Sequence, residues 1–121
     1  MTKMEYSIDL DKNIIFCEYS GFIDAEKMIE HIVKIRVDPD FHRGLNTISD
    51  IRRATFSKGF LEIKTIADYV KQSSSFRGNF KLALIVEHST AESAKLYEFL
   101  STDSHVKVFF DMDGAEAWIN G

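Results

Sequence analysis

Three observations predict an α/β domain for this chain. After two opening apolar runs, strand-type and helix-type segments alternate strictly along the 121 residues. The run Phe80-Lys81-Leu82-Ala83-Leu84-Ile85-Val86 is nearly continuous in apolar residues, as a central strand covered on both faces requires. No internal repeat, linker or low-complexity stretch divides the chain, so residues 1–121 read as a single domain. The expected order is β-β-α-β-α-β-α-β-α, an N-terminal β-hairpin followed by alternating β-α units. That order gives a mostly parallel five-stranded sheet with four helices and right-handed crossovers.

Each element has its own warrant. Met4 to Leu10 alternates loosely and meets the polar turn Asp11-Lys12-Asn13; Ile14 to Tyr19 follows as an apolar strand, and Gly21 closes it. Asp24 is a natural N-cap, Glu26 sits in the first turn, and Ile23 can staple onto Met28. Ala25, Met28, Ile29, Ile32, Val33 and Ile35 or Arg36 recur at helical spacing until Asp38-Pro39-Asp40 stops the helix. Leu45 to Asp50 reads as a buried strand ending in a carboxylate, with a loop after it. A second helix spans about Ser57 to Gln72, with Phe60, Ile63, Ile66, Ala67 and Val70 on one face. Residues 73–79 form a loop with a short solvated serine run. Ser89-Thr90-Ala91-Glu92 is a capping box opening a third helix with Ala94, Leu96, Tyr97 and Leu100. Val106 to Phe110 is a short last strand, and Asp113 caps a final helix, Gly114 to Asn120, that turns Trp118 and Ile119 inward.

Composition narrows the function classes. An apolar fraction of 45% with ten phenylalanines supports a sizeable core. A formal charge of −4, with basic residues interleaved among acids, argues against nucleic acid, which needs a concentrated basic face. The single cysteine, Cys17, cannot pair internally and reads as a packed, inert thiol. The first residues carry no apolar signal core and no run approaches a membrane span, so a cytoplasmic protein is expected.

In an α/β protein, sites are built at the carboxyl ends of strands. There the sequence gathers Asp50, Arg52, Arg53 and Ser57, with His88 past the fourth strand on the same edge. Asp50 can bind a ligand, orient an arginine, or cap the following loop. The arginines can clamp an anion beside a helix N-terminus or form a solvated pair. His88 can act as acid, base or ligand, or remain a surface group. His31, His42 and His105 are scattered without metal spacing. No glycine-rich phosphate loop, nucleophile elbow or paired carboxylates occur. Leu61, Tyr69 and Phe76 lie off the main apolar stripe, and exposed together they would make a dimer patch or line an apolar pocket.

The element order, the strand ending in Asp50, and the terminal Val108-Phe109-Phe110-Asp111-Met112-Asp113-Gly114-Ala115-Glu116-Ala117-Trp118-Ile119 resemble STAS-like (SpoIIAA-like) proteins. These small domains share the fold of the anti-sigma-factor antagonists, which is also found in CRAL-TRIO lipid-binding domains. The resemblance implies a regulatory or ligand-binding module without catalysis of its own. In the antagonists a serine in an Asp-Ser-Ser-Gly motif is phosphorylated. The local match is Phe56-Ser57-Lys58-Gly59, which puts Lys58 at the phosphoacceptor position.

The leading expectation is therefore a non-enzymatic, homodimeric module that binds a protein partner and senses a small anionic ligand, with no cofactor and no metal. Its binding residues would be Asp50, Arg52, Arg53, Ser57 and His88. The alternative is a carrier of a lipid or other apolar small molecule. A third reading, a hydrolase-type enzyme using His88 with Asp50 or Ser57, lacks a complete site.

Overall fold

In the computed structural model, which describes residues 1–56, 60–72, 80–101 and 105–121, the opening hairpin pairs β1 (Lys3–Asp9) antiparallel with β2 (Ile14–Ile23). Met4, Tyr6 and Ile8 turn inward while Lys3, Glu5 and Ser7 stay exposed, the period of two that the sequence shows. Asn13 takes the left-handed conformation at the turn (φ 60°), a position its side chain tolerates, and donates from Nδ2 to the Gly44 carbonyl.

α1 (Ala25–Arg36) follows, with the Asp24 carboxylate accepting from the backbone N–H of Lys27 at 2.8 Å. Ile23 and Met28 share one apolar cluster, as a staple requires. β3 (Asn46–Phe56), α2 (Phe60–Gln72), β4 (Leu82–Ile85), α3 (His88–Leu100), β5 (Val106–Phe109) and α4 (Met112–Asn120) complete the expected order. The five strands lie in the order β1-β2-β3-β4-β5, parallel from β2 onward. This is the mixed sheet the sequence predicts, with four helices among the described residues.

The two faces of the sheet are covered unequally. Ile15, Cys17 and Tyr19 of β2, Ile51 and Ala54 of β3 and Leu84 of β4 pack with Ile35 of α1 and Ala94 of α3. On the opposite face Ile14, Ile48, Ala83 and Ile85 meet Ala115 and Ile119 of α4. β4 is thus apolar on both sides, because it is covered on both.

Several element ends differ from the sequence reading. β2 does not stop at Gly21 but runs through it to Ile23, and β3 continues six residues beyond Asp50. The two extensions pair with each other. Between Glu18 and Ser20 the register slips by one residue, so Ile51 and Arg52 of β3 together face Tyr19. That bulge breaks the alternation that would otherwise have marked the strand. The third helix is capped from Glu87, whose N–H donates to Thr90 Oγ1 at 3.1 Å; Ser89 lies inside the helix and donates to Glu87 Oε1. The last helix is capped by Asp111, not Asp113: its carboxylate accepts from the Gly114 N–H at 2.7 Å. Both caps sit two residues earlier because Glu87 and Asp111 hold the extended backbone a cap needs.

Gly21 has φ +81°, and a Cβ there would run into the backbone of Met1 and Thr2. Gly21→Ala is expected to lower the unfolding free energy by about 2 kcal/mol, from the left-handed backbone and the collision together. Urea denaturation reads it; an unchanged midpoint would mean that the first two residues move aside freely.

Candidate functional site

Two places on this frame concentrate chemistry, and they lie on different surfaces. The first is the predicted edge. Asp50 is not at a strand end: it sits mid-strand, in register with Glu18 of β2 and Ile85 of β4. Arg52 reaches back to it with two contacts, Nε to Oδ1 at 3.0 Å and Nη2 to Oδ2 at 2.7 Å. The Arg52 backbone N–H also donates to Oδ1, at 3.1 Å. Asp50 therefore satisfies the donor that the bulge withdraws from the ladder, and it orients Arg52 as well. The Arg52 hydrogen bonds hold the Asp50 carboxyl below its usual range, with partial burial working against them. Arg52 in turn is raised by Asp50, with the charges of Glu18 and Glu87 adding to the effect.

Arg53 is exposed. His88 is exposed as the first residue of α3, and among the described residues no hydrogen bond joins it to Asp50. Ser57 lies outside the described residues. The structure thus brings Asp50 and Arg52 together and leaves Arg53 and His88 on the surface nearby. Arg52→Ala is expected to cost about 1 kcal/mol in urea denaturation, as a half-exposed two-point ion pair should, and Arg53→Ala less than about 0.5 kcal/mol. Equal losses would contradict the pairing.

The second place is a cavity of about 130 Å³ between the sheet and the layer of α1, α2 and α3. The sequence expectation did not include it as a site. Ile15, Cys17 and Tyr19 of β2 and Leu82 and Leu84 of β4 form part of the floor. Ile32, Ile63, Ile66 and Ala94 form part of the roof. Such a space opens where side chains from four directions meet imperfectly, so no periodicity along the chain reveals it.

A short polar strip crosses this apolar floor. Thr47 and Ser49 alternate inward on β3 beside Tyr19, and all three are buried. Tyr19 shares this stretch of the wall with Ser49 and Cys17. Burial foremost, then Cys17, raises its pKa well above the usual phenol range, so Tyr19 is a neutral donor at any ordinary pH. Cys17 is buried as expected, though it faces this cavity. Arg36 closes one end; the sequence reading treated it as interchangeable with Ile35 on the stripe. Its Nη1 approaches the Tyr69 hydroxyl at 3.4 Å, and Cζ lies 5.5 Å from the Tyr69 ring centre. Tyr69 is therefore engaged with α1, while Leu61 is 75% exposed; Phe76 lies outside the described residues.

His31 stands beside the cavity. It is buried, with its ring edge-on to Tyr6 at 5.7 Å and to Tyr19 at 5.1 Å. Among the described residues its Nε2 finds no hydrogen-bond partner. Burial, reinforced by the Lys34 charge, pushes its pKa down to about 4, so the ring is neutral at physiological pH. Tyr6 donates to Asp38 Oδ2 at 2.6 Å, tying β1 to the loop after α1.

Among the described residues no group of three or more His, Cys, Asp or Glu gathers as a metal site, and no helix is long and apolar enough to cross a membrane. No protein-family profile matches the chain, and no curated protein matches it. A solved structure does. It is an uncharacterised protein of the DUF3478 family with a SpoIIAA-like fold, from Shewanella loihica PV-4, 13% identical in sequence. The match has a TM-score of 0.65 and covers 98% of this chain and 95% of that one. At this identity the likeness speaks for fold alone: the chain is a single α/β domain with a SpoIIAA-like fold.

Proposed function

We propose that this protein is a non-enzymatic STAS-like binding module whose ligand is a small apolar molecule held between the sheet and its three-helix layer. The observation that carries the reading is the cavity of about 130 Å³, with its apolar walls and the polar strip of Tyr19, Thr47 and Ser49. Size decides what kind of molecule it takes. An apolar cavity of roughly 150 Å³ admits benzene, whereas drug-sized ligands need about 300 Å³ or more. A diacyl lipid is excluded by that arithmetic, and a single ring or a short branched chain fits. Of the two binding readings raised by the sequence, the apolar carrier is the one with a chamber to support it.

The partner-binding reading keeps one specific support. Arg53 and His88 are exposed near the Asp50–Arg52 pair, where a protein surface could meet them. A cytoplasmic, homodimeric protein belongs to this same reading. Toluene is the first probe. Amide chemical-shift changes in a titration are expected at Cys17, Ser49, Ala94 and Tyr97, which line the cavity. Changes confined to exposed Leu61 and Phe99, or none at saturating toluene, would count against the reading.

A further inference from the structure

We infer that a second copy of this chain docks on the free edge of β1, the two β1 strands pairing antiparallel about a two-fold axis at Tyr6. The two sheets then join into one continuous sheet, five strands from each copy. This inference does not depend on the cavity, and it gives an interface to the homodimer raised with the partner-binding reading.

β1 is an end strand of the sheet, and among the described residues it pairs with β2 alone. Its seven residues hold one register with β2 throughout, without a bulge, proline or glycine. The strand at the other end, β5, has four residues. Edges are ordinarily blunted by shortness, bulges, proline or charge, and of these β1 carries only charge. That charge discriminates among registers. In a two-fold antiparallel pair, directly opposed side chains lie on the same face. An axis at Glu5 sets Glu5 against Glu5, and an axis at Ser7 sets Glu5 against Asp9 twice. Like charges so opposed are destabilising. An axis at Tyr6 instead pairs the whole strand and sets Lys3 of each copy against Asp9 of the other. Axes nearer either end pair three residues at most.

Both faces of the strand suit this register. On the open face Lys3 leans on Glu5 at 3.2 Å, with both side chains more than half exposed, a contact worth little that a facing Asp9 can join. On the helix side Met4, Tyr6 and Ile8 belong to the apolar cluster yet stay half-buried at its margin. Pairing sets Met4 against Ile8 and Tyr6 against Tyr6, which carries the apolar layer across into the second copy.

Sedimentation of the unmodified protein is expected to show a dimer. Lys3→Asp or Asp9→Lys alone turns both attractive pairs into repulsive ones, and should weaken the dimer at least about tenfold. The double variant, which exchanges the two charges, should restore it. Glu5 and Ser7, both exposed, read the register directly. Glu5→Cys and Ser7→Cys proteins should form an intermolecular disulfide in air when mixed, and neither should do so with itself. A monomer at the highest soluble concentration would overturn the inference. So would a dimer that the charge reversals leave unchanged or the double variant fails to restore. A cross-link formed by one cysteine variant alone, or none in the mixture, would overturn it too. None of these outcomes bears on toluene binding, so the cavity reading stands or falls separately.

Discussion

Ala94→Leu is expected to close the cavity, weakening toluene binding by at least about thirtyfold, or roughly 2 kcal/mol, without loss of stability. Ala94 is 3% exposed on α3, belongs to the apolar cluster under the helices, and lines the empty space. The substitution adds an isopropyl group where there are no atoms now. Filling a void restores dispersion contacts its lining lacks and stabilises by up to about 1 kcal/mol. Forcing the same group into packed surroundings costs about 1–3 kcal/mol instead. The pair of measurements therefore separates two worlds. Lost binding with a steady or raised melting temperature means the chamber is real and is the ligand site. Retained binding sinks the assignment. A melting temperature lowered by more than several degrees would mean the space at Ala94 is already occupied.

Acid should expose the second large effect, through His31. Its pKa is about 6.5 in an unfolded chain and about 4 in the fold, because burial and Lys34 disfavour the charged ring. Above pH 6.5 neither state binds the proton, and the advantage of the fold is fully present. As pH falls from 6.5 toward 4 the unfolded chain takes up a proton that the folded one refuses, so stability declines across that window. The loss sums to about 3 kcal/mol at its lower end. Tyr6 and Tyr19, the groups facing the ring from β1 and β2, both have raised pKa values and stay neutral throughout. His31→Phe keeps an aromatic ring between the two tyrosines and removes the proton site. Urea unfolding at steps from pH 7.5 to 4.5 should give a declining free energy for the unmodified chain and a flatter one for the variant. Parallel curves would show that His31 is not the group responsible.

Much of the frame was legible because it depends on neighbours along the chain. Asp24 before the stripe of Met28, Ile32 and Ile35 marks a helix start by local hydrogen bonding, and the structure has that bond. The apolar run around Ala83 and Ile85 marks a strand covered on both faces, as it is. The two caps that slipped by two residues, to Glu87 and Asp111, are small local errors; the larger failure, at β3, depends on a partner strand. Arg52 and Arg53 break the alternation after Asp50 and so resemble a loop. In the fold, the extra residue of the bulge restores Ala54 to the same face as Ile51. Of the candidate residues, Asp50 and Arg52 meet, whereas Arg53 and His88 are exposed and Ser57 lies outside the described residues. The chamber was not legible, because it is left over where side chains of the sheet and of three helices meet. His31 gave a signal that could have been read: three residues after Met28 and four before Ile35, it lies on the buried stripe of its own helix.

The strand order β1-β2-β3-β4-β5 is also the order of synthesis. Each new strand can dock on an edge that already exists, and none has to insert between two strands already joined. Every sheet contact then closes a loop no longer than one crossover, which keeps the entropy of closure small and the folding barrier low for a parallel sheet. The sheet grows in one direction, away from an opening hairpin whose outer strand carries Lys3 and Glu5 on its exposed face. α4 comes after the last strand has joined and folds onto the face its predecessors left bare. A chain still being made would thus hide its helix-side apolar surface first and its second apolar surface last, so the exposed face of Ile48 and Ile85 is the one a nascent protein must protect.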